Sequence, residues 1–229
     1  MIDGTLTTDR ILDIFTEEVQ NRHGRVTDTF HDGRRLFVRS LLPHVADARP
    51  NDNMQGGLAL RATEDELSLH PYLFRQVCRN GAVMAQSIES LHVEFLGMYS
   101  LEVGTTMLRE AIANCSEERV FAKSIRGIQS LARTEIDQLL NLIPYLSHFQ
   151  QAGMEHFLAE ILQRYSGERD RTQFGFMNAI TSVARDAHDP DDRWRLEELG
   201  GGMVARLRPK QPSDAPGRKS AEREFVLTS

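Results

Sequence analysis

The sequence predicts an α+β protein in which an antiparallel sheet from the N-terminal half packs with a mainly helical C-terminal half. Three observations carry this. Short alternating or β-branched runs separated by turn signals are confined to positions 25–96. Apolar residues at helical spacing dominate 104–202. No strand–helix–strand alternation occurs, so no parallel sheet is expected, and no segment repeats at a fixed period. With 229 residues, 40% hydrophobic and 26% charged, the chain reads as one domain over 1–207, long enough to bury a core without metals or disulfides.

Thr7 or Thr8 is placed to cap a first helix that runs to about Arg22, with Ile11, Leu12, Ile14, Phe15 and Val19 as its apolar stripe and Gly24 as its stop. Val26 to Phe30 then alternates, His31-Asp32-Gly33 supplies a hairpin turn, and Arg34 to Leu42 reads as a second strand ended by Pro43. The polar stretch 44–55 is expected to be a loop, and Leu58 to Thr63 a third strand. Positions 64–70 suit either a short strand around Leu67 and Leu69 or a turn. From Pro71, the apolar residues at 73, 74, 77 and 78 fit a helix entering Asn80-Gly81, with Gly81 as its left-handed cap. Leu91, Val93 and Phe95 alternate as a last strand.

Helices follow over about 105–115, 116–142, 154–165 and 172–187, with Pro144 breaking or restarting the pattern. Asp189-Pro190-Asp191-Asp192 is a full start signal: an N-cap Asp, Pro in the first turn, and acids beside the positive helix end. That helix should carry Trp194, Leu196 and Leu199 and stop at Gly200-Gly201-Gly202; positions 208–229 read as a disordered basic tail.

Composition narrows the setting. Two cysteines, Cys78 and Cys115, are too few for a disulfide scaffold, no apolar run reaches the length of a membrane span, and the N-terminus has no basic leader before an apolar core. A soluble cytoplasmic protein is expected. The net charge of −6 argues against a surface wholly devoted to polyanions, yet from Met203 onward six basic residues stand against three acidic ones.

Nucleotide-binding loops are excluded by pattern. The glycines at 200–202 follow a helix rather than a strand, and a helix C-terminus offers carbonyls, the wrong polarity for a phosphate. No metal or cofactor is expected. His188 with Asp189, Asp191 and Asp192 groups possible ligands, but capping already explains the acids, and His148 and His156 match no zinc motif. Cys78 is the one candidate thiol nucleophile, flanked by Arg75 and Arg79, with His70, His92 or His31 as conceivable bases; the plainer reading is a small core residue. Nucleic-acid binding has distributed support: Arg34, Arg35 and Arg39 on or beside a strand, and Lys123, Arg126 and Arg133 on one helix face through i+3 and i+7 spacing. Phe30, Phe37 and Tyr72 lie near those arginines as possible base-stacking platforms, although such residues are more often core.

Three short runs occur in order: His31-Asp32-Gly33 before a strand, Arg75-Gln76-Val77-Cys78-Arg79-Asn80, and Asn178-Ala179-Ile180-Thr181, followed by Leu199-Gly200-Gly201. Over about 30–207 the chain thereby resembles the phage/plasmid-like family built on domain of unknown function 932. It departs from that pattern in a shorter N-terminal extension and in Arg79 and Gly81 around the asparagine. The resemblance implies a mobile-element setting with neighbours in DNA maintenance or anti-restriction, and it implies no catalytic residues, so Cys78, Asn80, Asn178 and Thr181 form a motif without a role. The expectation is a non-enzymatic protein that interacts with DNA, single- or double-stranded, or with a DNA-processing protein, through Arg34, Arg35, Arg39, Lys123, Arg126 and Arg133. The alternatives are a protein–protein module that acts as an anti-restriction or assembly factor, with a homo-oligomer among its expected associations, and an enzyme that uses Cys78 or the His188/Asp189 cluster.

Overall fold

A computed structural model describes residues 6–43, 45–50, 52–75, 82–84, 90–94, 99–136 and 142–206. The fold is α+β. Helix α1 (Thr8–Asn21) precedes strands β1 (Arg25–His31), β2 (Leu36–Leu41), β3 (Val45–Arg49), β4 (Asp52–Ala62), β5 (Glu66–Arg75), β6 (Ala82–Met84) and β7 (Leu91–Glu94). Helices α2 (Leu101–Cys115), α3 (Glu118–Leu131), α4 (Ile143–Gln151), α5 (Leu158–Gly167), α6 (Gln173–Asp186) and α7 (Pro190–Arg206) follow. The strands form one antiparallel sheet in the order β1-β2-β4-β5-β6, with β3 also pairing β4 and β7 also pairing β5.

Several local signals act as read. Thr7 caps α1, its hydroxyl accepting from the Arg10 N–H, and Thr172 caps α6 through the Gly175 N–H. The end of α1 is subtler. His23, not Gly24, takes the left-handed conformation (φ 58°), while its N–H and that of Gly24 close on the Gln20 and Val19 carbonyls. Asp32 ties the β1–β2 turn by accepting from the Arg34 and Arg35 N–H groups.

Other expectations are corrected. The stretch 44–55 is not simply a loop: β3 and the start of β4 pair there, from Val45↔Gln55 to Arg49↔Asp52. The helix expected directly after Pro71 is replaced over 72–75 by β5, which continues to Arg75 and pairs with β4; positions 76–81, with the expected Gly81 cap, lie outside the described residues. Among the described residues β6 pairs with 72–74 and β7 with 66–69, while Pro71 stands opposite Leu58 of β4. Gly56-Gly57 lies inside β4 rather than before it, and a Cβ on Gly57 would stand 1.8 Å from the Ser40 carbonyl oxygen. There the Ser40 hydroxyl joins the sheet, accepting from the Leu58 N–H at 3.1 Å.

The expected helix over 116–142 stops at Leu131 instead. Beyond it Arg49 donates to the Ala132 carbonyl, the Ile136 N–H bonds Arg171 O, and the Gln173 N–H bonds Thr134 O, so tertiary partners replace the helical ones. The glycines at 200–202 are not a cap; α7 runs through them to Arg206. A Cβ on Gly200 would sit 3.3 Å from Thr181 Cγ2, so the run lets α7 lie close against α6. The tail from 208 lies outside the described residues.

Alternation along the strands divides the sheet into two faces. Leu36, Val38, Leu58, Leu60, Leu67, Leu69 and Leu73 join the main core with Ile11, Ile14 and Phe15 of α1 and Leu108 and Ile112 of α2. Within α6 every residue from Phe174 to Ala184 is buried, which makes it the central helix of the C-terminal half. The opposite face is different in kind. Leu41, Ala59 and Tyr72, with Phe37 and Phe74 beside them, close over Trp194 of α7 in a small second cluster. The helices therefore do not all pack on one face: the N-terminal half of α7 crosses to the other side of the sheet. Among the described residues no helix is long and apolar enough to cross a membrane.

Candidate functional site

The second face is where the polar chemistry collects. Its strands present Asp28, Arg39, Arg61, Ser68 and His70 between apolar residues, and α7 lays a complementary set over them. Asp191 accepts from Arg61 Nε at 2.9 Å and from Arg35 Nη1 at 3.2 Å. Arg193 donates to Asp28 at 3.2 Å, Glu197 accepts from Arg39 at 2.7 Å, and Glu198 meets His70 Nε2 at 3.1 Å. Trp194 sits among these pairs, edge-on to Phe37 with centroids 6.4 Å apart and tilted against His70 at 5.4 Å. Burial pushes the Glu197 carboxyl up from its ordinary value, against the pull of Arg39 and Arg193, and burial likewise lifts the Tyr72 phenol.

Beside α7, on the β5–β7 side, lies an open cleft of about 570 Å³. Arg61, Glu66, Ser68, His70, His92, Trp194, Arg195 and Glu198 contribute to its wall. Ser68 and His92 are cross-strand partners, with Ser68 Oγ 2.8 Å from His92 Nδ1. Glu66 and Glu94 stand 3.9 and 3.8 Å from the two nitrogens of that ring. Serine, imidazole and carboxylate are thus neighbours, but Ser68 is only 4% exposed, and neither carboxylate is at hydrogen-bond distance from the imidazole. The arrangement is a polar cross-strand pair, not an activated nucleophile.

The sequence-selected cations separate into two groups. On the sheet, Arg39 is buried between Glu197 and Asp28, and Arg35 is held by Asp32 and Asp191. The expectation that Arg39 contacts phosphates fails on this geometry, because its guanidinium is sealed under α7. Arg34 is exposed at the β1–β2 turn. On α3, Lys123 and Arg126 are exposed on the helix, and Arg133 is exposed just past its end, so the shared helical face holds for the first two only. None of these three forms an ion pair with a described residue.

The motif residues divide similarly. Cys78 and Asn80 lie outside the described residues. Asn178 and Thr181 are buried on α6, with the Thr181 hydroxyl donating to the Asn178 carbonyl at 3.1 Å. Thr181 faces Gly200, so two runs singled out in the sequence meet as a helix-packing contact. Asp189 caps α7 by accepting the Asp191 N–H at 2.7 Å, and Asp191 is committed to Arg35 and Arg61. Among the described residues no three His, Cys, Asp or Glu side chains are placed to hold a metal.

Sequence reasoning missed Arg61, Glu66, Trp194, Arg195 and Glu198 as one locality. The signal was the polar alternate face of β5, with Ser68 and His70 between Leu67, Leu69 and Leu73, but nothing local says which helix covers it. The arrangement is an α+β fold with a polar-lined sheet face bridged by one helix. No family model, curated protein or solved structure matches the chain.

Proposed function

We propose that this chain is a non-enzymatic nucleic-acid-binding protein of mobile-element type, and that its phosphate-contacting surface is the outer edge of α3 rather than the sheet. The observation that carries the reading is the contrast in pairing. The guanidinium groups of Arg35, Arg39 and Arg61 are each held by two carboxylates of the fold. Lys123, Arg126 and Arg133 stand exposed without an ion-pair partner among the described residues. Cations not neutralised by their own fold are those that can release counterions from a phosphate backbone. Lys123 and Arg126 lie about 4.5 Å apart along the helix axis, at 1.5 Å rise per residue.

The setting supports the same reading through the likeness to the phage/plasmid-like family, whose implied neighbours handle DNA. A docking face for a protein partner has less support: the large apolar side chains exposed among the described residues are Val103 and Ile143, which form no patch of the size such faces show. Fluorescence anisotropy with labelled single- and double-stranded oligonucleotides tests the proposal. Binding in the micromolar range or tighter that weakens as salt rises supports it, and absence of binding at low salt overturns it.

A further inference from the structure

We propose that the cleft between α7 and strands β5 and β7 is a binding site for a nucleoside monophosphate. This goes beyond the α3 reading and does not depend on it. Volume is the first argument: about 570 Å³ falls within the range that encloses small ligands.

The second argument is the balance of committed and uncommitted groups on the wall. Asp191 is engaged by Arg61 and Arg35, and Glu198 by His70. Arg195, by contrast, projects from α7 exposed and makes no hydrogen bond or ion pair with any described residue. His92 is half-exposed; its Nδ1 lies 2.8 Å from Ser68 Oγ, and its Nε2 lies 3.8 Å from Glu94, outside hydrogen-bond range of it. The exposed Arg195 guanidinium can pair with a phosphate, and His92 Nε2, which makes no hydrogen bond to a described residue, can add a donor when it carries the proton.

The remaining wall suits the rest of such a molecule. Glu66 gives Oε2 to Arg61 at 2.6 Å, while Oε1 stands 3.9 Å from His92 Nδ1 and makes no hydrogen bond to a described residue. It is an acceptor for a base amino group or a sugar hydroxyl. Trp194 and His70, each only 5% exposed, line the back of the cleft and pack against Phe37 and Glu198. An aromatic wall, a free carboxylate oxygen and two cationic or polar donors together match a ring, its donors and its anion.

Trp194 is the one tryptophan of the chain and lines this cleft, so its fluorescence, excited selectively over tyrosine, gives a signal beside the site. The full chain is titrated with the four common nucleoside monophosphates, with the matching nucleosides and with inorganic phosphate, and calorimetry is run in parallel. The expected result is saturable binding of at least one monophosphate below about 1 mM, with its nucleoside and free phosphate each weaker by about tenfold or more. Arg195→Ala and Glu66→Gln should each weaken the monophosphate by a similar factor. Arg195 is exposed, and circular dichroism of its variant verifies the fold. Lys123→Glu with Arg126→Glu should leave this binding unchanged, which separates it from the α3 surface. The proposal is overturned if no monophosphate saturates, if inorganic phosphate binds equally well, or if Arg195→Ala binds as the parent does.

Discussion

Arg39 of β2 donates to Glu197 of α7 at 2.7 Å, joining residues 158 positions apart in sequence where both side chains are almost sealed from water. Asp28 holds the other guanidinium nitrogen of Arg39 at 3.2 Å and also accepts from Arg193, which reaches Glu197 at 3.4 Å. Two cations and two carboxylates therefore close a ring between the sheet and the helix. Such a ring is demanding rather than simply stabilising, because its buried members, Arg39 and Glu197, depend on each other for their lost hydration.

Removing one member should show that dependence. Glu197→Ala leaves Arg39 buried without its nearest counter-charge and should lower unfolding free energy by about 3–5 kcal/mol. Replacing both, as Arg39→Met with Glu197→Leu, should recover most of that loss. Urea denaturation of the two variants reads the difference directly. A single variant as stable as the parent would mean that α7 is held by Trp194 and its apolar neighbours instead.

On α3, charge removal should act through salt dependence. Each of Lys123→Ala, Arg126→Ala and Arg133→Ala should reduce the slope of log affinity against log salt by about 1. Arg39→Ala is not a test of this surface, since its effect would be on folding. Arg34 is also exposed and makes no ion pair with a described residue, so Arg34→Ala decides the extent of the surface: a reduction of about 1 extends it to the β1–β2 turn, and an unchanged slope confines it to α3.

Acid should loosen that turn at a defined point. Hydrogen bonds from the Arg35 and then the Arg34 backbone N–H, helped by the Arg35 side chain, hold the Asp32 carboxyl down at about 2. A carboxyl whose folded value is depressed adds stability that is present above its ordinary value of 3.8 and is lost as pH falls toward about 2. A carboxyl-carbon NMR titration should therefore place Asp32 below the other aspartates. In Asp32→Asn the acid-linked change in the turn should vanish, and an Asp32 titrating near 3.8 would contradict the turn geometry.

The contact of α6 with α7 has little room. With Thr181 Cγ2 only 3.3 Å from where a Cβ at Gly200 would stand, Gly200→Ala needs a small adjustment. Gly200→Val should cost about 1–3 kcal/mol through overpacking. Thermal unfolding should fall by about 2–4 °C for each kcal/mol in a chain of this size. A valine variant that melts with the parent would show that the helices can part there at no cost.

Local sequence determined a large share of this protein. Caps at Thr7 and Thr172, the turn at Asp32 and the Asp189-Pro190 helix start depend on side chains meeting their own backbone within a few residues, so they are legible without a fold. Strands with a leucine-rich face, such as 36–41 and 58–62, are legible for the same reason, since one period of two marks one buried side. What the sequence misreads depends on distant partners. Strand β3 and the start of β4 are polar and pair because the ladder supplies their hydrogen bonds whatever their side chains. Helix α3 ends at Leu131 although apolar spacing continues to Ile136, because Arg49, Arg171 and Gln173 take over the backbone groups. The site belongs to this second kind. Arg39, Arg61 and His70 read as three polar residues on strands, and only the passage of α7 over them decides that Arg39 is buried, that Arg61 is neutralised and that a cleft opens beside Trp194. Charge pairing across more than a hundred residues has no local signature; its energy exists only once the chain has folded and excluded the water between the partners.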